Sequence, residues 1–162
     1  MSRIPSLGPR GEGWVALQVA AIWLVIATVN LGRLEVADPG VRGLVVGIGW
    51  LLFALGGVLL IAASLTLRAA RAFTVLPQPR AGGELVESGP FRLVRHPVYA
   101  GLIAGSLGVA LSRLAPGSLV ATAILFVILD LKRRREEVWL LQRFPGYEAY
   151  QARTKALIPF LY

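Results

Sequence analysis

Residues 43–67 read GLVVGIGWLLFALGGVLLIAASLTL, 25 consecutive residues without a charge, closed by Arg42 before and Arg68 after. As a helix rising about 1.5 Å per residue, this stretch is longer than the roughly 30 Å hydrocarbon core of a bilayer. The rest of the chain agrees. Of its 162 residues 56% are hydrophobic and 16% charged, and the mean hydropathy is +0.66, too apolar for an ordinary soluble domain. The expected fold class is an all-α integral membrane protein embedded in a lipid bilayer.

Upstream, a second apolar run starts at Trp14 and continues to about Leu31. It begins too late for a cleaved signal peptide and reads as a retained helix. Helices over 14–32 and 43–68, joined through Glu35, Asp38, Pro39 and Gly40, are expected to form an N-terminal transmembrane hairpin within residues 1–71. Gly43, Gly47, Gly56 and Gly57 offer places where another helix can approach closely.

Downstream, residues 72–95 change character. Pro77, Pro79, Gly82, Gly83, Gly89 and Pro90 break helices, and the stretch reads as a cytoplasmic loop, with Ala72 to Leu76 at the interface and a short extended piece and turn within 82–90. Two further apolar stretches, 97–112 and 117–131, flank Arg113, Pro116 and Gly117. A 16-residue helix reaches only about 24 Å, so these two spans are tilted or cross a thinned bilayer. The basic run Lys132 to Arg135 marks the return to the cytoplasm, and residues 136–162 read as an amphipathic helical tail. The expectation is about four transmembrane helices, with residues 72–162 forming a second functional half.

The net charge of +8 would suggest nucleic acid in a soluble protein. In a membrane protein it follows from the preference of Lys and Arg for the cytoplasmic side. With four spans and cytoplasmic termini, fourteen of the seventeen basic residues lie inside, and only Arg33, Arg42 and Arg113 lie outside. No nucleic-acid partner is expected, and the location is a multi-pass protein of a prokaryotic-type plasma membrane. The absence of cysteine excludes disulfides, thiolate metal sites and a cysteine nucleophile, and no metal is assigned.

Two clusters carry chemistry. In the first, Arg95 and His96, the chain's one histidine, stand directly before Pro97 at a helix entrance, with Tyr99 in the first turn. Taken singly, Arg95 is a snorkelling side chain and Tyr99 a member of the aromatic belt. In the second, Glu136 and Glu137 follow the basic run, although acidic residues contribute little to membrane orientation. Such a pair either bonds within its helix to Lys132 or Arg133, or binds a cationic ligand.

Arg95-His96-Pro97-x-Tyr99-x-Gly101, a helical hairpin, Glu136-Glu137-x-x-Leu140, and then Phe144-Pro145-Gly146-Tyr147-x-x-Tyr150-x-x-Arg153 with Pro159 together resemble the isoprenylcysteine carboxyl methyltransferase family and the related phospholipid methyltransferases. The resemblance covers residues 82–162. It implies a membrane-embedded methyltransferase that uses S-adenosyl-L-methionine and acts on a lipophilic or membrane-borne acceptor. The cofactor pocket would lie at the cytoplasmic helix ends, with His96, Pro97, Tyr99 and Glu137 binding the cofactor. Arg95 and Glu136 would act at the acceptor, Glu136 holding Arg95 by a two-pronged pair. Methyl transfer needs positioning more than acid–base help when the acceptor is a carboxylate. An amine acceptor would need a proton sink such as Glu136, Glu137 or water. The motifs choose neither acceptor nor oligomeric state. Only two helices precede them, so the part of the family that contacts a prenyl group is reduced here. The competing readings are an NADPH-dependent membrane reductase of the sterol reductase type, whose C-terminal helices are similar, and a non-enzymatic membrane scaffold.

Overall fold

The computed structural model describes residues 4–79, 82–159 and 161. Arg3 and Arg80, counted in the charge argument, and the tail residues Phe160 and Tyr162 lie outside that range. The described residues form five α-helices and no strand: α1 (Glu12–Thr28), α2 (Pro39–Ala69), α3 (Pro97–Ser112), α4 (Pro116–Arg143) and α5 (Tyr147–Arg153), with a 3-10 turn at Gly89–Arg92 before α3. Helices α2, α3 and α4 each start on a proline, whose missing N–H costs nothing in a first turn. Asp38 also caps α2 by accepting from the Val41 amide at 2.8 Å.

Of these helices only α2, with 31 residues, is long and apolar enough to cross a membrane by length and composition; α1 and α3 are shorter apolar helices. Large apolar side chains nevertheless face outward on three helices, among them Trp23 on α1, Trp50 and Val58 on α2, and Val120 and Val127 on α4. Continuous outward apolar surface of this kind suits lipid and not water.

The two N-terminal helices pack on different partners. Helix α1 packs along α4 and α2 along α3, and α1 and α2 share no substantial contact among the described residues. The reason for the second pairing is glycine. A Cβ built on Gly56 would stand 2.6 Å from the Gly105 amide nitrogen and 2.7 Å from the Gly101 oxygen, and one on Gly49 would stand 2.4 Å from the Ser112 nitrogen. Backbone therefore meets backbone, as small residues allow in membrane helices. Among the expected approach points only Gly56 serves; Gly43, Gly47 and Gly57 have nothing within 4 Å, and Gly49 takes their place. On the α1–α4 side, Ser118 donates to the Val25 carbonyl at 2.9 Å and lies 3.2 Å from the Thr28 hydroxyl.

The expected amphipathic tail is also redrawn. Helix α4 runs through the basic cluster to Arg143 and stops at Phe144, the residue before Pro145, which disfavours helical backbone in its neighbour. After α5 the chain lies beside the start of α3, where the Arg95 and His96 amides donate to the Lys155 and Ala156 carbonyls at 2.8 and 3.0 Å.

Candidate active site

The tail and α4 close on the turn before α3, and this brings Arg95, His96, Pro97, Tyr99, Glu136 and Glu137 into one cluster. Glu137, buried on α4, is its hub. One carboxylate oxygen accepts from Arg95 Nε at 3.0 Å and from His96 Nε2 at 3.1 Å. The other accepts from Arg133 Nη1 at 3.4 Å and from Gln151 Nε2 at 3.2 Å. Burial pushes this carboxyl up, but the hydrogen bond and charge of His96, followed by those of Arg95, outweigh it and hold the group at about 2. An ionised Glu137 can only accept, so His96 donates to it from Nε2, and the other ring nitrogen, Nδ1, lies 3.9 Å from Glu136.

The pairing differs from the expected one. Arg95 is held by Glu137 and not by Glu136, and its Nη1 donates to the Gln151 carbonyl at 3.1 Å and to that of Thr154. The intrahelical bond expected of the acidic pair exists between Arg133 and Glu137. Glu136 instead accepts from the Tyr99 hydroxyl at 2.6 Å. The Tyr99 ring stacks on His96, with centroids 5.4 Å apart and planes 7° from parallel, and carries the Lys132 ammonium 5.1 Å from its centroid.

Next to this cluster lies a cavity of about 350 Å³. Arg95, His96, Pro97, Tyr99, Lys132 and Glu136 line it, with Gln18, Ser64, Thr74 and Glu84 as further polar residues; Glu137 is not in its wall. The remaining walls are mainly apolar, built by Leu60 and Leu67 of α2, Phe73 and Val75 after it, and Val86, Phe91, Val98 and Leu102, with the Tyr147 and Tyr150 rings at the tail. Tyr150 donates to the Phe91 carbonyl at 2.7 Å. Burial raises both phenols, for Tyr147 with help from Glu137 and Glu136, so both remain protonated. The Tyr147 hydroxyl is buried with no hydrogen-bond partner among the described residues.

The motifs do not point to Lys132 and Gln18. Lys132 is 2% exposed and donates to Gln18 Oε1 at 2.6 Å and to the Val75 carbonyl at 3.2 Å. Its spacing of four from Glu136 puts both on one face of α4, a signal hidden by the basic run around it. Gln18, on α1, carries no sequence signal.

The model of the phospholipid methyltransferase family matches residues 44–146. A second similarity is to the cobalt-zinc-cadmium resistance protein CzcN of Cupriavidus metallidurans, 36% identical over 86 residues, which are 51% of this chain and 38% of that protein. The chain thus spans well under half the length of this curated relative. The family match extends over more than half of the chain and joins the long apolar helix to both motif clusters. The chain belongs to the phospholipid methyltransferase family, which includes isoprenylcysteine carboxyl methyltransferase-like members.

Proposed function

We propose that this member of the phospholipid methyltransferase family transfers a methyl group from S-adenosyl-L-methionine to a lipophilic acceptor, probing the bilayer through the apolar walls of the cavity. The observation that carries this reading is that one cavity is walled both by Arg95, His96, Tyr99 and Glu136 and by a larger set of apolar side chains. Its volume of about 350 Å³ falls in the usual range of small-molecule sites, about 300–1,000 Å³. The residue set fits the cofactor: Glu136 offers a carboxylate for the ammonium or ribose hydroxyls, His96 lines the same cavity with a second ring nitrogen, and aromatic faces suit a sulfonium. When bound, the cofactor supplies a methyl group on a positively charged leaving group.

The chain's own residues then position and shield. Lys132 lies on the same helix face as Glu136 in the cavity wall, and we assign it the orientation of an anionic acceptor such as a carboxylate. Arg95 is a positioning residue, since its hydrogen bonds go to Glu137 and the tail carbonyls. Glu137 has filled its acceptor sites and fixes Arg95 and His96 in place. Residues 72–162 form the cofactor half in this reading, and α2 contributes the wall facing lipid.

Four spans with both termini and the 69–95 loop in the cytoplasm complete the proposal. The test is calorimetric binding of S-adenosylhomocysteine and NADPH to detergent-purified protein. The expected result is binding of the first alone, weakened about 10- to 100-fold in Glu136→Ala, the range for a charge-assisted bond. Binding of NADPH alone would sink the reading.

A further inference from the structure

A second cavity, also of about 350 Å³, shares Arg95 with the first and no other residue. Four cations, Arg95, Arg133, Arg153 and Lys155, line it, and no carboxylate side chain does among the described residues. The compensating carboxylates stand behind the wall: Glu137 bonds Arg95 and Arg133, Asp130 is divided between Arg133 and Arg134, and Glu87 pairs with Arg153. Lys155 is exposed, and its ammonium has no partner among the described residues. The Gln151 and Thr154 carbonyls, which would repel an anion, are both turned onto Arg95.

This is not an ordinary solvated basic surface, because the Arg95 and Arg133 side chains are only 9% and 8% exposed. Positive charge held in a concave, partly desolvated site attracts anions more strongly than the same charge spread over a surface. Arginine and lysine together suit phosphate oxygens in particular, the first as a planar fork and the second as a point charge. The cavity also lies beyond the apolar part of α4, at the level of the basic run, where lipid headgroups are found if α4 enters the bilayer.

We propose that this second cavity binds a phosphate group, from a lipid headgroup or a free phosphate ester, and that the bound phosphate ties the tail at Arg153 and Lys155 to Arg133 of α4. The site needs no methyl donor, so its test is independent of the activity proposed above. Melting of the detergent-purified full chain is followed while titrating glycerol 3-phosphate, short-chain phosphatidylglycerol and, as the zwitterionic comparison, short-chain phosphatidylcholine.

The expected result is a saturable rise in melting temperature of about 3 °C at tenfold the dissociation constant. Lys155→Glu should abolish the rise and Lys155→Gln reduce it, both melting as the parent does without additive. A response to phosphatidylglycerol alone identifies a lipid headgroup; an equal response to glycerol 3-phosphate identifies the phosphate itself as sufficient. No saturable response to either, or a rise that persists in Lys155→Glu, would overturn the proposal; an equal response to phosphatidylcholine that Lys155→Glu abolishes would show that the phosphate is recognised whatever its headgroup.

Discussion

Glu137 accepts four hydrogen bonds, and two of its donors are arginines on different segments. Replacing it by glutamine would leave Arg95 and Arg133 buried beside a neutral amide, a change that costs about 3–5 kcal/mol in comparable sites. Its folded pKa of about 2 lies below the ordinary carboxyl value of 4.5. The carboxylate's contribution is therefore complete above about pH 4.5 and is lost as pH falls towards 2. Melting curves across that window should show the parent losing stability with acid, and Glu137→Gln starting lower and changing less. A parent indifferent to pH there would mean that the cluster contributes little. The two tail tyrosines supply a second comparison. Tyr150→Phe removes a made bond to Phe91 and should cost about 1 kcal/mol. Tyr147→Phe removes a hydroxyl that has no partner among the described residues, and its melting temperature should match or exceed the parent's.

At the scale of elements, α2 and α3 are held at backbone contact by Gly49, Gly56, Gly101 and Gly108. Gly56→Ala would place a methyl carbon against the Gly101 and Gly105 backbone, which cannot turn aside as a side chain can. Overpacking of this kind costs about 1–3 kcal/mol. Gly57→Ala is the matched control, since nothing lies within 4 Å of its Cβ position, and alanine should be neutral or favourable there. Thermal melting of the two variants measures the difference directly. Equal melting temperatures would show that α2 and α3 separate without cost. Leu60 and Leu67 line the cavity from α2, so loosening this pair should also weaken binding in the cavity.

For the whole molecule, the contacts define two ends of one bundle. At one end the Leu34 amide donates to the Leu114 carbonyl at 2.8 Å, bringing the α1–α2 connection to the α3–α4 turn. At the other, Gly11 packs on Pro77 and Lys132 bonds Gln18 and Val75. The first end carries Arg33, Arg42 and Arg113, and most of the remaining basic residues gather at the second. Reporter fusions in the 30–38 connection and at Arg113 should therefore report the periplasmic side, and fusions at residue 78 and the C-terminus the cytoplasmic side. A reporter near residue 78 on the same side as Arg113 would refute the four-span arrangement and separate the two motif clusters.

The sequence by itself determined the properties that reside in single segments. An uncharged run of 25 residues imposes one long apolar helix, Pro97 marks a helix entrance, and the motif spacing singles out residues that the fold then brings together. The tertiary structure decided which partners those residues face. Neighbours on a helix point about 100° apart, so whether Glu136 or Glu137 meets Arg95 depends on how α4 is rotated against α3, and periodicity within α4 cannot supply that rotation. The pairing of α1 with α4 likewise depends on contacts 90 residues apart, such as Thr28 with Ser118. Lys132 and Gln18 entered the site through the same packing. Their chemistry is ordinary in sequence and becomes specific only where the folded chain buries an ammonium beside a cavity.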